Sequence, residues 1–315
     1  MPLHPQARAF LQFIAQSNAP SITTLDPVRV RQMDAEFVRG FAPARPEPID
    51  RLETLTLPIA PDGIRVRLYA PAAEAALPIL VYFHGGGWVL GSPDNVDPLC
   101  RTLANRARCL VASVDYRLAP EFKFPRPAED AYAATDWIVR HATKLGGDPQ
   151  RIAVGGDSAG GNLAAVTALM SRDRGDFSLV YQLLLYPVTH YNFETPSYLD
   201  LAEGYGLKRE EMIWFWHHYL SAPADGHHPY ASPLLAPNLS HLPPAHVVTA
   251  EYDVLRDEAE AYADRLRQAG VSVTQQRYLG TIHGFIGMAE ILETGREAIA
   301  QVSDRLQRAL HQGNG

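Results

Sequence analysis

Residues Gly156-Asp157-Ser158-Ala159-Gly160 spell G-x-S-x-G, a pattern that can make a serine into a nucleophile. The residues before it, Ile152-Ala153-Val154, read as a strand, and Asn162 to Met170 read as a helix. Between them the serine would stand on a tight turn, with glycines where side chains would collide and the following N–H groups facing a substrate. A serine hydroxyl is a weak nucleophile unless a base takes its proton, and the base needs a carboxylate to orient it. On an elbow of this kind the acid and then the histidine follow the serine in the chain. Of the twelve histidines, only His283 and His311 come after a suitable acid beyond the elbow. His283 lies in Gly280-Thr281-Ile282-His283-Gly284-Phe285, a loop after a strand expected to end near Tyr278. His311 belongs to the polar tail of the last helix, with no positional reason to reach a sheet end. His283 is therefore the candidate base. Asp253 comes directly after the strand His246 to Glu251, at the carboxyl end where such sites are built, and is the candidate acid. Asp257 is its rival, although its position suits the first turn of the next helix. Glu251, within or at the end of the strand, is a weaker one.

His84-Gly85-Gly86-Gly87-Trp88 follows the apolar run Ile79 to Phe83. Successive glycines let backbone N–H groups converge on one point, which is what a developing oxyanion requires. A phosphate loop is the competing use of such a segment, but no lysine follows as GK[ST] and no G-x-G-x-x-G precedes a helix. The paired histidines His217-His218 and His227-His228 suggest a metal site only superficially. Adjacent residues do not share a helix face, and neither pair has the HExxH spacing.

These residues must be held by a sheet. Short apolar runs at Ile79 to Phe83, Leu110 to Val114, Ile152 to Gly155 and Tyr181 to Tyr186 alternate with helical stretches. Among those are a stretch running to Arg106 and one from Pro127 to His141. Uninterrupted runs of this kind suit parallel strands buried on both faces, so the fold class is α/β. Two earlier strands, Leu52 to Leu57 and Ile64 to Tyr69, are separated by the turn Ala60-Pro61-Asp62-Gly63. The strand Val271 to Tyr278 and helices at Asp257 to Gln268 and Glu293 to His311 complete the pattern. Two regions depart from it. The first fifty residues read as helices followed by the proline-rich linker of residues 41–48. Residues 190–242 are rich in aromatic residues, histidine and proline, with a helix at Arg209 to Leu220 carrying Met212, Trp214, Phe215 and Trp216. Both look like additions to one sheet rather than a second sheet domain.

With 28 Lys and Arg against 35 Asp and Glu, the 315-residue chain has a formal charge of -7. It has no basic stripe of the kind that phosphate neutralisation requires, so nucleic acid is not expected as a partner. Its 46% hydrophobic and 20% charged composition excludes a disordered chain. Cys100 and Cys109 are too few for a disulfide scaffold and read as reduced thiols of an intracellular protein. Arg8 and Gln12 interrupt the N-terminal apolar residues, which therefore do not read as a signal peptide, and no window approaches a membrane span. The expected location is cytoplasmic, without stable membrane insertion.

Taken together, HGGGW at 84–88, DYRLAPE at 115–121, GDSAGG at 156–161, EYDVLRDE at 251–258 and HGF at 283–285 resemble the bacterial esterase branch of the hormone-sensitive lipase family of α/β-hydrolases. The resemblance implies an α/β-hydrolase fold, a mostly parallel sheet flanked by helices under a helical cap. It assigns Ser158 as nucleophile, Asp253 as acid and His283 as base, with Gly86, Gly87 and Ala159 as oxyanion-hole donors and Gly85 shaping the turn. It also implies a cap made of residues 1–50 and 190–242, over a core of residues 51–189 and 243–315. Where the family usually has DPL, this chain has Asp253-Val254-Leu255, which keeps the carboxylate. The expected activity is hydrolysis of short to medium acyl-chain carboxylic esters through an acyl-enzyme, with no metal or organic cofactor, by a monomer or homodimer. The same triad would serve an amidase or deacetylase, and a non-catalytic binding protein on this fold would have lost the base or the nucleophile. Activity is expected to fall on acidification as the histidine base is protonated. Phe10, Phe13, Phe37, Trp214 and Phe215 are expected to make an apolar pocket.

Overall fold

The apolar runs do become buried strands. In a computed structural model that describes residues 2–311 except 18, 42, 44 and 74, β3 (Leu77–Phe83) lies at the middle of an eight-stranded sheet. Its Ile79, Val81 and Phe83 point to one face and Leu80 and Tyr82 to the other, and all five are fully buried. This is the period-two alternation of a strand covered on both sides. The other strands are β1 (Arg51–Leu57), β2 (Ile64–Ala70), β4 (Leu110–Asp115), β5 (Gly147–Asp157), β6 (Tyr181–Leu185), β7 (Ala245–Tyr252) and β8 (Val273–Ile282). Their order is β1-β2-β4-β3-β5-β6-β7-β8. The β1–β2 and β2–β4 pairs are antiparallel, and every pair from β4 to β8 is parallel.

Parallel neighbours need crossovers, and helices supply them. Helices α3 (Asp97–Ala107) and α9 (Glu293–His311) pack on the Leu80 face. Helices α4 (Arg126–His141), α5 (Ala159–Arg174) and α8 (Arg256–Gln268) cover the Ile79 face. Each fully buried leucine or valine on these faces contributes about 1.5–3 kcal/mol by leaving water. Because β4 to β8 are parallel, their carboxyl ends gather at one edge, and the loops leaving that edge can meet.

The segments that break the pattern lie outside the sheet. Helices α1 (Pro5–Gln16) and α2 (Pro27–Phe41) precede β1. Between β6 and β7 the chain forms only the short α6 (Pro196–Asp200), α7 (Arg209–Tyr219) and isolated 3-10 turns. The two regions touch where Ser21 donates to the Glu210 carboxylate, and Lys123 ties α7 to the sheet by donating to the Leu220 carbonyl at 2.9 Å.

Two boundaries differ from the sequence reading. Strand β8 continues to Ile282 rather than stopping near Tyr278, because Tyr252 and Ile282 pair across a register shift that follows Ala250. His283 is thus the first residue beyond the strand. The helix ending near Arg106 begins only at Asp97, since the glycine loop and a turn occupy residues 84–96.

Candidate active site

Ser158 sits between β5 and α5 with φ 56° and ψ -119°, a conformation that L-residues rarely adopt. The turn can be this tight because Gly156 and Gly160 flank it. A Cβ on either would collide with backbone, on Gly160 with the Phe83 carbonyl and on Gly156 with the Gly160 carbonyl. The serine N–H donates to the Leu185 carbonyl on β6 at 2.9 Å, and its carbonyl accepts from Asn162 N–H at 3.0 Å, so the backbone cannot relax. The hydroxyl is left pointing past the sheet edge.

Three strands contribute to what it meets. The Ser158 hydroxyl lies 3.0 Å from His283 Nε2, at the end of β8. His283 Nδ1 lies 2.7 Å from Asp253 Oδ2, one residue past β7. The other Asp253 oxygen accepts from Leu255 N–H at 2.9 Å, which fixes the carboxylate plane. The Asp253 side chain is fully buried. Tyr186, at the end of β6, sets its ring edge-on to the imidazole at 4.8 Å. Burial pushes the Tyr186 hydroxyl well above the usual phenol range.

The rival carboxylates are engaged elsewhere. Asp257 accepts from Ser197 N–H at 2.7 Å and pairs with Arg256, in the first turn of α8. Glu251 accepts from Gly280 N–H at 2.6 Å. His311 lies 3.1 Å from the Ala107 carbonyl, far along α9 from the sheet edge. Cys100 and Cys109 are buried and free. Among the described residues no group of His, Cys, Asp and Glu is placed to hold a metal. His217 and His218 meet edge to face, and His227 packs edge-on against Tyr191.

The glycine loop folds over the same edge. Gly86 and Gly87 have φ 111° and 59°, and the Gly86 carbonyl accepts from both Val89 and Leu90 N–H. Gly85 N–H is taken by the Asp157 carboxylate at 3.1 Å, which also accepts from the Tyr82 hydroxyl at 2.9 Å. None of the hydrogen bonds among the described residues uses the N–H of Gly86, Gly87 or Ala159. Burial raises the Asp157 pKa, while the Tyr82 hydroxyl pulls it back. Burial likewise lowers that of His84, whose Nδ1 lies 2.8 Å from the Gly85 carbonyl.

Several of these contributors escape a sequence reading. Asp157 sits inside the pentapeptide, yet its bond to Gly85 spans two strands. Arg31 on α2 donates to the carbonyls of Val89 and Ala119 at 2.7 Å each and pairs with Glu121, clamping the glycine loop from outside the sheet. No local pattern marks it. Of the aromatic residues expected to line a pocket, Phe215 packs where a Cβ on Gly87 would go. Phe10 and Phe37 pack with Phe41 between α1 and α2, and Phe10, the largely exposed Phe13 and Phe41 line a second, apolar cavity with Ile291.

A cavity of about 230 Å³ is lined by Gly85, Gly86, Asp157, Tyr186 and Gly284, which include the chain neighbours of Ser158 and His283. The whole chain is similar to known proteins. A family profile described as alpha/beta hydrolase fold matches residues 80–287. The carboxylesterase NlhH of Mycobacterium tuberculosis is 42% identical over 98% of this chain and 97% of its own length. An arylesterase of Saccharolobus solfataricus is 37% identical over 91% of this chain and 93% of its own. The solved hyperthermophilic esterase from the archaeon Pyrobaculum calidifontis superposes with a TM-score of 0.92 at 46% identity, covering 98% of each chain.

Proposed function

This chain belongs to the α/β-hydrolase fold family, in its ester-hydrolysing branch, and from that premise we propose that Ser158, His283 and Asp253 are its catalytic triad. The observation that carries the reading is the unbroken hydrogen-bonded line from Asp253 through His283 to Ser158. A carboxylate only accepts, so His283 Nδ1 carries the proton and Nε2 is free to accept one. Ser158 Oγ attacks the ester carbonyl carbon as Nε2 takes its proton, and Asp253 stabilises the imidazolium. The carbonyl oxygen becomes an oxyanion held by the N–H groups of Gly86, Gly87 and Ala159. Collapse breaks the bond to the alcohol oxygen, which leaves with the proton from His283. Water, deprotonated by the same nitrogen, then attacks the acyl-serine and releases the acid.

Residues 1–50 and 190–242 serve in this reading as a cap over a core of residues 51–189 and 243–315. Phe215 against Gly87 and Arg31 on the Val89 carbonyl support it. Each chain carries its own triad, so a monomer or a homodimer would serve. No helix among the described residues is long and apolar enough to cross a membrane. The free thiols of Cys100 and Cys109 support a reducing, cytoplasmic setting.

Hydrolysis of p-nitrophenyl butyrate by the wild-type protein and the Ser158→Ala variant tests the assignment. Turnover is expected to vanish in the variant while its melting temperature stays within a few degrees of wild type. Equal turnover in both would place the nucleophile elsewhere.

A further inference from the structure

Gly87 N–H, one of the donors proposed for the oxyanion, belongs to a peptide unit whose orientation can be traced outward to α2. A trans peptide points its C=O and N–H in opposite directions, so whatever holds the Gly86 carbonyl also aims Gly87 N–H. That carbonyl accepts from Val89 N–H at 3.1 Å and from Leu90 N–H at 2.8 Å. The carbonyl of Val89 is bound in turn by Arg31 of α2, whose Nε donates to it at 2.7 Å. Nη2 of the same guanidinium donates to the Ala119 carbonyl at 2.7 Å, and Ala119 N–H donates to the Trp88 carbonyl at 2.9 Å. Val89 and Ala119 are fully buried, and no other group among the described residues donates to either carbonyl. Glu121 takes Nη1 and Nη2 at 2.8 and 2.6 Å, which fixes the guanidinium plane. A rigid planar fork can bridge two carbonyls from separate segments at set angles, whereas an ammonium is a point charge that cannot.

We propose that Arg31 is a positioning residue for the oxyanion hole: from α2 it fixes Val89, and through Val89 the direction of Gly87 N–H. This rests on the reading of Ser158 as nucleophile and Gly87 as a donor to its adduct. Arg31 acts through the backbone and not on the ester, so its loss leaves substrate binding in place. What weakens is the hold on the charge that develops on the carbonyl oxygen, an interaction made only as the adduct forms. Helix α2 then shares in setting the rate as well as in covering the core.

Three substitutions separate aim from stability. Arg31→Met keeps the stem and removes the donors, Arg31→Lys keeps the charge without the fork, and Glu121→Gln loosens the ion pair but leaves both carbonyl bonds. Each is assayed on p-nitrophenyl butyrate well below its own melting temperature, with butylboronic acid as the inhibitor that forms a tetrahedral adduct on the serine. Arg31→Met is expected to lower kcat about ten-fold or more, the scale of a small misplacement at a reacting centre, with KM within about three-fold. The affinity for butylboronic acid is expected to fall by a similar factor. Arg31→Lys is expected to recover part of both, and Glu121→Gln to change either by less than about three-fold. A kcat within about three-fold of wild type in Arg31→Met would mean that Trp88, buried and stacked on Tyr219, holds the loop unaided, and the proposal would fall. It would fall equally if boronate affinity stayed at the wild-type level, or if Glu121→Gln lost as much as Arg31→Met. Should Arg31→Met not fold, Arg31→Lys carries the same comparison: losses exceeding those of Glu121→Gln uphold the proposal, and equal losses overturn it. Ser158→Ala tests the reading beneath. Turnover surviving there overturns the nucleophile, whereas turnover lost there but intact in Arg31→Met overturns the role of Arg31 alone.

Discussion

Gly87 shows how little freedom a position proposed as an oxyanion donor has. Its φ of 59° disfavours any side chain, and the Phe215 ring fills the space a Cβ would need. Gly87→Ala is expected to tilt the loop and misdirect its N–H. Loss of one oxyanion donor costs about 100–1,000-fold in kcat, so a fall of that order with a smaller change in KM is the expected result. Steady-state kinetics on p-nitrophenyl butyrate checks it, and a kcat within a factor of about three of wild type would remove Gly87 from the donor set. At this scale the sequence is most legible where chemistry imposes a residue type. The proposed triad of Ser158, Asp253 and His283, which hydrogen bonds join in a line, is readable because a nucleophile, an acid and a base must follow three strands in a set order. Asp157 and Arg31 are not readable in the same way. Each acts on the glycine loop across a long sequence separation, and nothing in the local spacing reports that contact.

Elements were legible where burial is two-sided. The run Ile79 to Phe83 could hardly be anything but a central strand, and it is one. The end of β8 was hidden because Gly280 and Thr281 look like a turn, whereas Gly280 continues the strand with φ 71° and donates to Glu251. The pairing of β7 with β8 also buries a titratable group. His246 on β7 lies 2.8 Å from the Thr274 hydroxyl on β8, and burial first, then Arg305, lowers its pKa from 6.5 to about 4. The unfolded chain therefore takes up a proton near pH 6.5 that the folded chain refuses until about pH 4. The stabilisation is complete above the unfolded value and is lost as pH falls through that window. Between pH 7.5 and 5 this amounts to about 2 kcal/mol. Urea unfolding of wild type and His246→Asn at those two pH values is expected to show the smaller loss in the variant. Parallel losses would mean that His246 does not titrate this way.

At the scale of the whole molecule, seven strand pairings and two flanking helical layers serve to bring the ends of β5, β7 and β8 to a common edge. The cavity at that edge is small, about 230 Å³ against the roughly 300–1,000 Å³ of sites that enclose drug-sized ligands. Butyrate and hexanoate p-nitrophenyl esters are therefore expected to exceed palmitate in kcat/KM by about ten-fold or more, a gap of at least 1.4 kcal/mol in transition-state binding. A profile rising to palmitate would show that long chains find another path. The way α1 is anchored bears on how the molecule comes into being. His4 N–H donates to the carbonyl of Gly280 on β8, and the Gln6 amide oxygen receives Glu293 N–H. Beside its ring contacts with α2, α1 is thus tied to β8, the last strand of the sheet in chain order. Ser158 and the glycine loop precede Asp253 and His283 in the chain, so under the proposed triad a growing chain would hold the nucleophile and its donors without acid or base. On that reading hydrolytic power would not accumulate during synthesis of the chain. It would wait for the end of β8, which carries His283.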